Sequence, residues 1–125
     1  MTDPNKSSSE TVRAILHIAS LAAWEAAQRL GRYEAESLRA EGFIHCSQSH
    51  QVIEVLNRLF RGRVDLLLLV IDPARLTHEL RFEQAENGQE YPHVYGPIDL
   101  AAVVSTRAIA PNPQGLFPPT VLTNH

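Results

Sequence analysis

Two short segments, Gly42-Phe43-Ile44-His45-Cys46-Ser47 and Tyr91-Pro92-His93-Val94-Tyr95-Gly96-Pro97, concentrate imidazoles, phenols and a hydroxyl where the pattern reads as extended chain. A strand sends neighbouring side chains to opposite faces, so Phe43, His45 and Ser47 share one face and Ile44 and Cys46 the other. His93 and Tyr95 share a face in the same way. An apolar core has no use for imidazole and hydroxyl at alternate positions, whereas a polar cleft does. Neutral imidazole donates and accepts at once, which suits it to holding a ribose hydroxyl or passing a proton.

His17 lies near the end of another predicted strand. If the two strands are neighbours, His17 and His45 face one cleft, with Ser47 on the side of His45; the alternative is a partly buried imidazole tied to backbone. His93 and Tyr95 either close one wall of a pocket beside the rigid Gly96-Pro97 turn or form a structural corner. Glu83 is the leading carboxylate. A hairpin at Asn87-Gly88 would set its strand against the segment of His93. A carboxylate near sugar hydroxyls stabilises the positive charge that builds at an anomeric carbon. Its competing reading is a surface carboxylate paired with Arg81.

Other chemistries find less support. His45 and His50 lack the His-x-x-x-His spacing of a helical zinc site, and no cysteine pair accompanies them, so no metal is expected. Alternation turns Cys46 away from His45, as a small core residue rather than a nucleophile. There is no glycine-rich phosphate loop and no Gly-x-Ser-x-Gly elbow.

The elements that must position these residues are a mixed set. Val12 to Ala19 reads as a first strand, with Ser20 capping a helix over 21–30 that Gly31 stops. Trp24 is a packing anchor on that helix. Ser37 is expected to cap a second, short helix ending near Gly42. The strand Phe43 to Cys46 follows, then a helix from about Gln48 to Phe60, capped by Ser47 or Ser49. Its apolar face carries Val52, Val55, Leu56 and Leu59. Val64 to Ile71 is the strongest central-strand candidate, and Asp72-Pro73-Ala74-Arg75 a turn. His78 to Gln84 alternates as a strand. Pro92 should make Glu90 to Tyr95 an edge or irregular strand. Leu100 to Ile109 is the last strand, and the proline-rich segment from Pro111 should wrap the surface. The domain expectation is a tail over 1–10, one domain over 11–110 and a Pro-rich tail over 111–125, in the α+β class.

Composition narrows the partners. The 125 residues are 44% apolar, enough for one core without a disulfide or metal staple, and Cys46 is the only cysteine. Net charge is −3 with no basic block, so duplex nucleic acid is not an expected partner. The longest strongly apolar stretch, Leu66 to Ile71, cannot cross a bilayer. A soluble, cytoplasmic protein is expected, with a protein partner reached through the C-terminal tail as one option.

Ile15-Leu16-His17-Ile18, Trp24, Tyr33, Ser37-Leu38, Glu41 to Ser47, Gln51, Phe82-Glu83 and Pro92 to Pro97 together resemble the family catalogued as domain of unknown function 952. The resemblance runs from about Arg13 to Ile109. Members of that family look like the ADP-ribosyltransferase fold, with split, mostly antiparallel β-sheets, flanking helices and a dinucleotide cleft. The resemblance implies NAD, as substrate, or another nucleotide-type small molecule. It further implies that His17 holds a ribose, that His45 or Ser47 packs the nicotinamide side, and that Glu83 completes catalysis together with His45. His93 and Tyr95 join the ligand-binding set. A non-catalytic nucleotide-binding or protein-interaction module is the alternative.

Overall fold

The computed structural model describes residues 14–123, so the predicted tail over 1–10 lies outside the described residues. Strand β1 (Ile15–Ser20) leads directly into helix α1 (Leu21–Leu30). The Ser20 side chain accepts from Ala23 N at the helix start, and Gly31, at φ 95°, closes it in the left-handed conformation that a side chain would resist. Then come β2 (Arg32–Tyr33), α2 (Glu36–Glu41), β3 (Ile44–His45), α3 (Val52–Leu59) and β4 (Leu66–Ile71). A 3-10 turn over Pro73–Arg75 precedes β5 (Leu80–Gln84), β6 (Glu90–Val94) and β7 (Ile98–Asp99). A second such turn (Leu100–Ala102), β8 (Val103–Ile109) and α4 (Thr120–Thr123) complete the chain.

The strands form two small three-stranded sheets and a two-stranded ribbon, antiparallel throughout, with helices on their flanks. The aliphatic run of β4 is central in the first sheet, ordered β1-β4-β8, and the second is ordered β3-β6-β5. The ribbon pairs β2 with β7. One bridge, Leu16 with Ser47, joins β1 of the first sheet to the chain leaving β3 of the second.

Alternation along β1 and β4 sorts two apolar clusters. Ile15, Ala19, Leu67, Leu69 and Ile71 meet Ile44, Val94, Tyr33 and Ile98 from the second sheet and the ribbon. Leu16, Leu66 and Leu68, on the opposite face, meet Val52 and Leu56 of α3, Ile109 and Phe117. The C-terminal segment is stitched down there. Phe117 N donates to Asn57 Oδ1 at 2.6 Å, and Asn57 Nδ2 donates to Phe117 O.

Three local expectations are corrected. Strand β6 is central in its sheet, not an edge, despite Pro92. Because a residue's N–H and C=O point the same way in an antiparallel ladder, and Pro92 O accepts from Cys46 N, the missing N–H falls just past the end of β3 and takes nothing from β5. Helix α2 has no side-chain cap, and the Ser37 hydroxyl donates instead to Phe43 O at 2.8 Å. Helix α3 starts at Val52, and Gln51, not Ser47 or Ser49, receives the Gln48 N–H ahead of it.

Candidate functional site

The residues singled out by sequence divide into two groups. On β3, Ile44 packs inward while His45 faces out, and in register across the sheet lie His93 on β6 and Arg81 on β5. Phe43 lies at the centre of the outer group. Its ring stacks on His93 at 4.1 Å between centroids, meets His45 edge-on at 4.9 Å and lies 5.2 Å from Tyr95. The two imidazoles are themselves 5.3 Å apart.

Glu83 completes this group. Its Oε1 accepts from His93 Nδ1 at 2.5 Å and from the Tyr95 hydroxyl at 2.7 Å, while Oε2 has no protein partner among the described residues. The Tyr95 bond first, and the His93 bond second, hold its carboxyl below the usual carboxylate range, so it is ionised at neutral pH. Because a carboxylate can only accept, His93 carries its proton on Nδ1, which leaves Nε2 a lone pair whenever the ring is neutral. His45 Nε2 donates to Glu41 Oε1 at 3.1 Å. Arg81 lies over the Tyr95 ring at 4.6 Å and is gripped by both carboxylate oxygens of Glu79. Two carboxylates, Glu79 and Glu83, therefore act on the Arg81 guanidinium, and a third, Glu41, lies beside His45.

His17 is placed differently. It is buried, its Nδ1 donates to the backbone oxygen of His45 at 2.6 Å, and its Nε2 accepts from the hydroxyl of buried Tyr33 at 2.7 Å. A carbonyl cannot donate, so these two bonds set the tautomer. Burial, more than any neighbour, pushes its pKa down to about 4 and keeps it neutral. Cys46 lies in the same apolar surroundings, with its thiol pushed up to about 12 by burial. Ser47 is buried as well, its backbone paired with Leu16 in both directions.

The pairing of Leu16 with Ser47 leaves an open edge. Even-numbered residues of β1 turn their backbone groups away from β4, and after Leu16 the two sheets part. The N–H and C=O of Ile18 face that split with no backbone partner among the described residues.

The sequence reading set His45 with His17 and Ser47 in one cleft and Glu83 beside His93. The structure instead joins His45 to Phe43, His93, Tyr95 and Glu83. It puts His17 and Ser47 in the buried frame, because the chain after His45 turns in to pair with Leu16. Sequence reasoning placed Phe43 on the His45 face without a role, and it left out Glu41 and the cation over Tyr95. The alternation that selected His45 carried Phe43 too; nothing local announces the Ile18 edge, which exists only because of strand order. A separate cavity of about 570 Å³ between β8 and the C-terminal segment, lined by Arg107, Ile109, Pro118 and Val121 among others, contains none of these groups. Among the described residues no three His, Cys, Asp or Glu side chains are grouped to hold a metal ion, and no helix is long and apolar enough to cross a membrane.

The family model described as "Protein of unknown function (DUF952)" matches residues 18–106. The X-ray crystal structure of protein CC0527 from Caulobacter crescentus is similar at 32% identity and a TM-score of 0.78, over 84% of this chain and 93% of that one. The solution NMR structure of CC0527 is similar at 33% identity and a TM-score of 0.72, over 82% and 90% of the two chains. No curated protein matches the chain significantly.

Proposed function

The chain belongs to the DUF952 family, and we propose that it binds NAD or an ADP-ribose-like ligand and can transfer the ADP-ribosyl group, in an ADP-ribosyltransferase-like split-sheet arrangement. The observation that carries this reading is the ionised Glu83, fixed through one oxygen by His93 and Tyr95 beside the face of Phe43, with its second oxygen free. A carboxylate held in this way needs little reorganisation to meet a positive charge developing at an anomeric carbon. The surrounding carboxylates favour the cationic pyridinium end of NAD, and the aromatic rings offer it a stacking surface. His45 and His93 can bond ribose hydroxyls. The in-plane N–H and C=O of Ile18 complement a carboxamide, which both donates and accepts.

In the reaction this arrangement suits, the bond from C1′ to the nicotinamide nitrogen breaks and its electron pair goes to that nitrogen. An acceptor oxygen, from water or a second molecule, adds to C1′ and gives its proton to His45. Ser47 and His17 stand outside the ligand contacts in this reading, as parts of the frame around His45.

Calorimetric titration of NAD and ADP-ribose, with nicotinamide release followed in parallel, tests the proposal. Wild type should bind both saturably. Glu83→Gln should keep binding within a few-fold and lose at least about a hundredfold in release, because shape is kept and charge lost. Saturable binding without release from wild type would support a non-catalytic nucleotide module. Binding of neither ligand to folded protein would overturn the proposal.

A further inference from the structure

The reason the two sheets part after a single bridge is visible in the register. Leu16 pairs with Ser47, and antiparallel pairing continued two residues further along β1 would set Ile18 opposite His45. His45 O faces β1, since the neighbouring Cys46 N turns the other way to Pro92 O. The natural donor to His45 O is therefore Ile18 N. Instead, His17 Nδ1 occupies that acceptor at 2.6 Å. We infer that the His17 side chain is the wedge that keeps the sheet split, by standing in for the Ile18 N–H as donor to His45 O.

The imidazole is suited to that task. Its reach from the face of β1 carrying Ile15 and Ala19 draws β3 out of the plane of the first sheet, and its second nitrogen is anchored by Tyr33. The ring thus bridges three segments, β1, β2 and β3. Removing the donor leaves His45 O unsatisfied near an unpaired Ile18 N–H. A half-buried donor and acceptor with complementary needs and the correct register then favour pairing with each other. The cleft edge then zips shut by one rung. This makes His17 a positioning residue: it acts through the backbone of His45 and through the availability of Ile18. Its consequence for ligand rests on the binding proposal above, whereas its consequence for the backbone does not.

Hydrogen exchange at the Ile18 amide tests the wedge without any ligand. In wild type this amide should exchange rapidly beside the slow amides of β4, and the His17 ring should show the Nδ1-protonated tautomer by ¹⁵N chemical shift. In His17→Ala the Ile18 amide should slow by about tenfold or more, the value of one newly formed backbone bond. His17→Asn retains a donor near the position of Nδ1 and should keep Ile18 fast. If His17→Ala does not fold, His17→Leu, which fills the volume without a donor, should show the slowed Ile18 amide in its place. A slow Ile18 amide in wild type, or an unchanged one in a folded donorless variant, would overturn the inference. ADP-ribose titration separates the two proposals. Loss of binding in His17→Ala together with a slowed Ile18 supports both. A slowed Ile18 with no binding even in wild type leaves the wedge and removes the ligand, and wild-type binding with an unmoved Ile18 does the reverse.

Discussion

Two clusters of histidine and tyrosine lie on either side of one short strand, and they are built in opposite ways. In the inner one, His17 and Tyr33 are buried, both ring nitrogens are used by protein, and burial keeps the imidazole neutral. In the outer one, His45, His93 and Tyr95 keep contact with solvent and are organised by a carboxylate whose second oxygen is free. The same residue types are a structural brace in one place and a ready set of donors and acceptors in the other. Burial and the nature of the acceptor, a carbonyl inside and a carboxylate outside, make the difference.

The sharpest way to break this comparison uses adjacent residues of β3. Ile44 is fully buried, so Ile44→Ala should cost about 2–5 kcal/mol in urea unfolding, the usual range for an aliphatic side chain lost from a core. His45→Ala, one residue on, should cost no more than about 0.5 kcal/mol while weakening ligand binding. Equal costs would remove the distinction between the two faces.

Acid should act on the inner cluster next. The folded pKa of His17 is about 4 against an unfolded 6.5, so the unfolded chain binds more protons between those values. Stability from this group is therefore complete above pH 6.5 and falls as pH drops towards 4, by about 3 kcal/mol in all. Unfolding curves at pH 7, 5.5 and 4.5 should show the loss in wild type and a flatter profile in His17→Asn. Glu83 has the same sign but a lower window: its depressed carboxyl supports the outer cluster above the ordinary carboxylate pKa and releases it as pH falls through the folded value.

A smaller effect is expected of Tyr33→Phe, which leaves His17 Nε2 without its donor. It should cost about 1–3 kcal/mol and leave the Ile18 amide fast, because the bond to His45 O survives. A slowed Ile18 in that variant would mean that the anchor, not the donor, holds the split.

Sequence alone gave a good account of elements fixed by local chemistry. Ser20 and Gly31 bound α1 as expected, the aliphatic run before Asp72 is the central β4, and Asn87-Gly88 turns the hairpin that brings Glu83 to His93. Elements fixed by distant partners were less legible. Whether Pro92 falls on an edge depends on which way its carbonyl faces, and that follows from Cys46. The C-terminal segment read as a proline-rich wrap, yet Phe117 is buried against α3 because Asn57, sixty residues earlier, binds both of its backbone groups. In the site, alternation put Phe43 with His45 and His93 with Tyr95, but the register of β3 on β6 that unites the two sets, and the inward turn that buries Ser47, were not legible. The bond from His17 to a backbone oxygen 28 residues away has no signature in composition or spacing.

The central claim is that ligand meets the outer cluster, and backbone amide shifts during titration with ADP-ribose test it most directly. The account predicts saturable shifts at His45, His93, Tyr95, Glu83 and Ile18, with Arg107 and Val121 at the separate cavity unmoved. Shifts confined to that cavity, or none at all in folded protein, would contradict it.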